Sequence, residues 1–316
     1  SDLVIESFQD KNKFLLSMKQ TASFFEQHSD YNIIHAHASS KAFFVLWFAK
    51  RSGIKVRILH SHATRFVMTG ILALMAAYIL KPLANIMATH YFACSPEAGN
   101  FLFGKHKKVF IAHNGVDTDV FSPNTSVRIQ MRKELIGEDN CFLIGNVGRF
   151  RPQKNHKFLM EIFKEVCSLD NKSKLVCVGG GELEDIIKEK ARLLGILDRV
   201  LFLGVRKDVN NLMQAFDLLV MPSLFEGLPV TGVEAQAVGT PCLFASTITK
   251  DAAILPNTSY LKLEDSPKIW AEKILSYKNQ NRIDNATEYV RQKGYDILLD
   301  TQKLQNFYFK ELKKYE

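Results

Sequence analysis

Two glutamates, Glu226 and Glu234, lie eight positions apart in the stretch FEGLPVTGVEAQAVGTP. The run before them, Asp217 to Ser223 (DLLVMPS), is short, apolar and closed by a turn signal, the pattern of a buried parallel strand. A loop with Gly227 and Pro229 follows, then a helical run from Val233 to Val238 stopped by Gly239 and Pro241. Glu226 therefore falls on the loop leaving a strand's carboxyl end, and Glu234 falls inside the next helix. Ligands of open α/β sheets bind at that end of the strands, and the free amides of a helix start attract phosphate. Arg149 and Lys154, on another loop after a strand, can bring two cations to one pyrophosphate, Arg as a fork and Lys as a mobile point charge. Taken alone they read first as a solvated basic loop, with Arg151 and Lys157 nearby.

Four histidines form two His-x-His pairs, His35 with His37 and His60 with His62. Pairs of this kind at strand ends invite a zinc reading, but no carboxylate or cysteine stands beside them, so no metal is expected. Asp117-Thr118-Asp119 has the spacing of an Asp-x-Asp metal motif but sits in a linker-like stretch. His35 reads as a satisfied core histidine, while an acceptor-side role stays open for His60 and His62.

The elements that must carry these residues alternate. Tyr31–Ser39 and Lys55–Ala63 read as strands around a helix at Lys41–Arg51, followed by His90–Ser95 and Lys108–Gly115. A second layer begins near Cys141 and runs through CFLIGNVG, KLVCVGG, VLFLG, DLLVMPS and PCLFAS, with helical patterns between. Such alternation implies parallel sheets with right-handed crossovers. The linker between layers is Asp117–Ser126, and Asp265–Glu316 is helical in pattern. Before Tyr31 there is one helical segment, about Asn12 to His28. Phe66–Leu83 is the most apolar segment; Gly70, Lys81 and Pro82 interrupt it, and Ile71–Leu80 is too short for a bilayer needing about 20 residues. It reads either as a buried helix or as one that meets an acceptor or a membrane surface.

At 316 residues the chain suits two domains, and 47% hydrophobic with 23% charged residues is ordinary globular composition. Five scattered cysteines without a Cys-x-x-Cys pair fit packed, reduced thiols and a cytoplasmic setting. Of the net charge of +8, five charges fall in residues 1–123. That excess suits an anionic surface, lipid headgroup or phosphorylated acceptor, or simple solubility. Nothing in the sequence carries a nucleic-acid-binding signature.

The Glu226-x7-Glu234 segment resembles the signature of the family 4 retaining glycosyltransferases. The resemblance extends to four further segments in order: His113–Asp117 (HNGVD), Gly145–Asn155 (GNVGRFRPQKN), Val176–Glu184 (VCVGGGELE) and Phe202–Val209 (FLGVRKDV). It implies an α/β chain of the GT-B fold, two Rossmann-like domains with parallel sheets facing a cleft. Residues 1–123 would be the acceptor-side domain, incomplete at its start because no glycine-rich strand-loop-helix precedes Tyr31. Residues 124–300 would bind the nucleotide-sugar, and a helix in 301–316 would cross back to the first domain.

By the same resemblance Arg149 and Lys154 hold the donor pyrophosphate, with Arg206 and the helix-start segment Leu228, Pro229 and Val230 completing the donor site. Glu234 accepts from the ribose hydroxyls, an acceptor-only group suited to two of them. Glu226 contacts the donor sugar, and His37 faces it. Thr231 and Gly232 stand where the family more often has aliphatic residues, and Gly232 marks a close approach of ligand or an unusual donor pocket. The implied reaction moves a sugar from a nucleotide donor, by family frequency a UDP-sugar, to a hydroxyl with retention and without cofactor or metal. Departure and attack occur on the same face, so no carboxylate nucleophile is needed. The implied acceptor is a saccharide or lipid-linked saccharide of bacterial surface polysaccharide synthesis, handled in the cytoplasm or on the inner face of the membrane. A GT-B-like sugar-nucleotide epimerase and a catalytically inactive nucleotide-sugar-binding form are the alternatives.

Overall fold

The computed structural model describes residues 14–28, 30–37, 39–66, 70–137 and 141–315. The chain divides into two compact units, one of residues 1–113 with 301–316 and one of residues 114–300. The segment read as a linker, Asp117–Ser126, lies inside the second unit. Val116 bridges Asp296 there, the Thr118 hydroxyl donates to the Asp296 carboxylate, and Asn124 caps a helix by accepting from Val127 N at 3.0 Å.

In the first unit the elements run α1 (Phe14–Gln27), β1 (Ile33–His37), α2 (Ala42–Arg51), β2 (Val56–Ser61), α3 (Ile71–Met87), β3 (His90–Ala93), α4 (Pro96–Phe103) and β4 (Val109–Ile111). The strands form a parallel sheet in sequence order. In its register His37 stands opposite His60. Local chemistry sets the boundaries: Ser95 accepts from Ala98 N at 3.2 Å, Pro96 takes the first turn of α4, where a missing N–H costs nothing, and Gly104 ends it. The buried-helix reading of the apolar segment does not hold. Of α3 only Ala77 and Ala84 are buried, while Ile71, Leu72, Met75, Tyr78, Ile79 and Ile86 are exposed. Among the described residues no helix is long and apolar enough to cross a membrane.

The second unit runs α5 (Thr125–Ile136), β5 (Leu143–Val147), α6 (His156–Leu169), β6 (Lys174–Val178), α7 (Glu184–Leu193), β7 (Val200–Phe202), α8 (Val209–Ala215), β8 (Leu218–Met221), α9 (Val230–Ala237), β9 (Cys242–Ala245), β10 (Ser259–Leu261), α10 (Pro267–Leu275) and α11 (Ala286–Gln292). A last helix, α12 (Ile297–Leu312), continues into residues grouped with the first unit. The sheet is parallel throughout in the order β10-β9-β8-β5-β6-β7. Its strands are apolar on both faces because helices cover both. Leu143, Val176, Leu219 and Phe244 enter one core, and their neighbours Ile144, Leu175, Leu218 and Leu243 enter the other. The strand order reverses between β5 and β8, so the loops that leave these two strands open a crevice at their carboxyl ends. That crevice is where Arg149, Lys154, Glu226 and Glu234 belong by sequence position.

Candidate active site

The loop after β5 is laced to β6 and the loop after it, and that loop in turn to the loop after β7, by main-chain bonds. Gly148 N donates to Val178 O at 2.9 Å, Phe150 N to Gly180 O at 3.1 Å and Gly179 N to Gly204 O at 2.8 Å. Gly179 has φ +137°, and a Cβ there would run into the Gly148 carbonyl. The approach thus requires glycine on conformational and steric grounds. The loop then makes a short 3-10 turn, Pro152–Lys154, ended by Asn155 at φ +54°, the one non-glycine residue with positive φ among the described residues. This turn folds Lys154 back over Gly148, where a Cβ would stand 3.0 Å from Lys154 Cε.

The turn delivers Lys154 to the second loop. Lys154 Nζ lies 2.7 Å from Glu226 Oε1, with the two side chains 20% and 10% exposed. Gln153 completes the clamp: its Nε2 donates to Glu226 Oε2 at 3.1 Å and to Phe225 O at 3.0 Å, and its own carbonyl accepts from Leu224 N at 2.8 Å. Both oxygens of Glu226 are therefore engaged by protein donors, and its orientation is fixed before any ligand arrives. Sequence reading missed Gln153, because a glutamine beside a lysine in a turn carries no signal that distinguishes it from solvated loop. Arg149, by contrast, is exposed and its guanidinium has no hydrogen-bond or ion-pair partner among the described residues.

The loop after β8 leads into α9, which begins three residues earlier than the sequence pattern placed it. Pro229 holds the N-cap position with φ −76°, and α9 runs from Val230. Leu228 and Pro229 are buried. The N–H groups of Gly227, Leu228, Val230 and Thr231 have no hydrogen-bond partner among the described residues, so the start of α9 offers a cluster of donors. Gly232 does not mark a ligand: a Cβ there would stand 2.8 Å from the Phe244 ring and 3.3 Å from Pro229 Cγ, so it is a packing position under the helix. Glu234, the fifth residue of α9, is half-buried and has no partner among the described residues. Burial raises its pKa above the ordinary carboxyl value. A half-buried acceptor without a donor, on the same helix as a set of free amides, can serve a ligand that carries both hydroxyls and an anionic group.

Arg206 is engaged by carboxylates of its own. Its guanidinium binds Asp208 in a fork, Nε to Oδ1 at 2.8 Å and Nη2 to Oδ2 at 2.6 Å, with Glu134 at 3.7 Å. These carboxylates raise its pKa, hydrogen bonding to Asp208 being the largest cause.

On the first unit the strand register stacks the histidines. His35 Nε2 is 3.0 Å from His60 Nδ1, and His37 Nδ1 is 2.9 Å from His62 Nε2. Their rings lie nearly parallel, with His35 and His37 centroids 4.3 Å apart and His60 and His62 4.1 Å apart. His35 Nδ1 meets the Tyr308 hydroxyl of α12 at 2.6 Å. Burial lowers the His35 pKa to about 3, helped by repulsion from His37 and His62. It lowers His60 to about 2, with His62, His35 and His37 adding to the effect. His37, at the exposed rim, is also lowered, by burial first and His62 second.

Comparison with known proteins agrees with this architecture. The fold is that of GT-B glycosyltransferases. The crystal structure of Anabaena Alr3699/HepE in complex with UDP matches with a TM-score of 0.78 at 20% identity, covering 96% of this chain and 85% of that one. Putative glycosyltransferase EpsF of Bacillus subtilis (strain 168) is 33% identical over 292 residues, 90% of this chain and 76% of the relative. The UDP-Gal:alpha-D-GlcNAc-diphosphoundecaprenol alpha-1,3-galactosyltransferase of Escherichia coli is 28% identical over 225 residues, 68% of this chain and 58% of the relative. Residues 127–296 match the family model described as Glycosyl transferases group 1. The chain belongs to the glycosyl transferases group 1 family.

Proposed function

We propose that this protein transfers a sugar from a UDP-sugar to a hydroxyl of a lipid-linked saccharide, with retention of anomeric configuration, in bacterial surface polysaccharide synthesis. One observation carries the donor half of this reading: the free amides at the start of α9 and the partnerless Glu234 carboxylate follow β8 at the sheet's switch point. The amides and the unpaired Arg149 guanidinium suit a diphosphate, whose charge grows as it leaves. Lys154 reaches the same loop and shares its charge with Glu226. A half-buried carboxylate in place of water suits two ribose hydroxyls, because it replaces their hydration with a fixed acceptor. Glu226, clamped by Lys154 and Gln153, is a rigid acceptor for the transferring sugar. Retention follows from departure and attack on one face, the leaving phosphate taking the acceptor's proton. His37 enters from the family resemblance, as the group that polarises the sugar.

Names of relatives support the substrates. One relative is named for UDP-Gal and a diphosphoundecaprenol-linked acceptor, and the HepE structures hold UDP or UDP-glucose. The exposed apolar side of α3 and the positive balance of residues 1–123 suit a protein working at the inner face of a membrane. The test is a thermal titration with UDP, GDP and ADP, followed by a transfer assay with product configuration read by NMR. UDP at 100 times its Kd is expected to add about 2.7 kcal/mol to folding. His37→Ala is expected to keep UDP affinity and lower the transfer rate. If no nucleotide shifts the midpoint, the donor site is misassigned; an inverted product overturns retention.

A further inference from the structure

The histidines of the first unit form a constellation of which the function proposed above uses only His37. His35, His37 and His60 each offer one ring nitrogen, and the three atoms lie within 4.8 Å of one another. We propose that this set is a binding site for a divalent late first-row transition metal, with Zn2+ as its representative ion and His35, His37 and His60 as its ligands. The inference does not rest on the proposed transferase activity, whose donor residues lie on the other unit.

The geometry of the set carries it. Ligand spacing comes from the backbone: His35 and His37 are two apart on β1 and share a face, while His37 stands opposite His60 in the register with β2. Rigid strands thus hold three imidazoles together without a flexible loop. Zinc binds nitrogen at about 2.0–2.1 Å, so tetrahedral ligands lie about 3.4 Å apart; His35 Nε2 and His60 Nδ1, at 3.0 Å, are already near that spacing, and no pair of the three atoms exceeds 4.8 Å. Orientation comes from Tyr308. Its hydroxyl at His35 Nδ1 plays the part that an outer hydrogen-bond partner plays for a metal-bound histidine, leaving Nε2 turned toward His60 Nδ1. With the Nδ1 proton given to Tyr308, His35 Nε2 presents its lone pair to His60 Nδ1 at 3.0 Å, and a cation that displaces the shared proton would be held by both nitrogens.

The chemistry of the donor set selects the ion. Three imidazoles without a carboxylate suit Zn2+, Cu2+ or Ni2+ and give Mg2+ or Ca2+ nothing to bind. The missing carboxylate that argued against zinc in the sequence is no obstacle, because a three-histidine set with water in the fourth position is a complete zinc site. His62, 2.9 Å from His37 Nδ1, stands where it can orient the His37 ring.

The untagged full chain, stripped with chelator, is titrated with ZnCl2 by calorimetry, and its thermal midpoint is read with and without the ion. The expected result is one zinc per chain and a raised midpoint, with no heat from MgCl2. His37→Ala, at an exposed position, is expected to melt as the metal-free parent does and to weaken zinc by at least about 10-fold. His60→Gln is expected to weaken it as well. Tyr308→Phe, which changes only a positioning residue, is expected to cost about 10- to 100-fold in affinity while keeping the stoichiometry. His106→Ala, outside the set, is expected to change nothing. Absence of zinc binding by the parent overturns the proposal, as does affinity that both His37→Ala and His60→Gln leave intact.

Discussion

Replacing Lys154 by methionine separates the structural from the ligand-binding part of the donor loop. Lys154 Nζ sits 2.7 Å from Glu226 Oε1, and the side chains are 20% and 10% exposed. Removing one member of a fully buried pair costs about 3–5 kcal/mol, mostly from the charge left behind. Here solvent still reaches the pair, and Gln153 keeps its bond to Glu226 Oε2. The expected loss in unfolding free energy of residues 114–300 is therefore about 1–2 kcal/mol. Glu226→Gln leaves an ammonium that water reaches more easily, so its cost should be about 1 kcal/mol or less. The double variant should recover much of the summed loss, and that non-additivity measures the pair. UDP affinity should move differently. Lys154→Met removes a charge-assisted contact worth about 1.5–3 kcal/mol, so Kd should rise about 10- to 150-fold. Glu226→Gln frees the ammonium and should leave Kd unchanged or lower, while the transfer rate falls roughly 10- to 1000-fold. Urea denaturation, calorimetry with UDP and a transfer assay on four proteins supply the data. Were Glu226→Gln to weaken UDP as much as Lys154→Met, the two residues would be scaffold for each other and Lys154 would not be a diphosphate ligand.

Glu234→Gln should raise the UDP Kd by about 10-fold, because a neutral amide is a poorer acceptor for two hydroxyls. Burial raises the Glu234 pKa, so parental UDP affinity should fall with pH on passing below that raised value, and calorimetry should find the Gln variant flat over the same range. Magnesium or manganese added to chelator-treated enzyme should not raise the transfer rate, since in the proposed donor site Arg149, Lys154 and the α9 amides supply the positive charge; stimulation by either ion would send attention to Asp117 and Asp119. His156 stacks on Phe150 at 4.2 Å with both ring nitrogens buried and unpartnered, and burial, with the Lys154 charge second, lowers its pKa to about 4. Below about pH 6.5 the unfolded chain takes that proton first, so stability is lost as pH falls from there toward 4. His156→Phe should keep the stacking and remove roughly 2 kcal/mol of the stability loss between pH 7 and pH 5; urea titrations with equal pH dependence in both proteins would contradict this.

The second unit was legible as elements because its strands are continuous apolar runs bounded by glycine turns. What sequence pattern could not supply was their order: that β5 lies between β6 and β8 is set by which helices pack where, not by any strand's own residues. β10 escaped notice because Ser259-Tyr260-Leu261 is short and has no apolar run. The helix carrying Glu234 was misplaced at its start because Gly232 lowers helical propensity by about 1 kcal/mol. Packing of that glycine against Phe244 overrides the deficit. Glu226 and Lys154 were picked out as separate ligand contacts, and their pairing across 72 positions has no trace in local spacing. The histidine pairs were visible as motifs, but their stacking needed the β1–β2 register.

The first unit draws on both ends of the chain while the second is one unbroken stretch, and that bears on the order of events during synthesis. Residues 114–300 have all their partners once that stretch has left the ribosome, and domains fold as units during elongation. Ile58, Phe92 and Phe110 on the first sheet wait longer, because their cover is Leu304, Phe307 and Tyr308 of α12. Until those residues emerge, the nascent first unit presents a bare aromatic face to the cell. At roughly 5–20 residues per second the wait from residue 113 to residue 308 is on the order of 10–40 s, long enough for a chaperone to visit. A premature stop at residue 301 would make that interval permanent, leaving residues 114–300 intact and the first unit without one wall of its core.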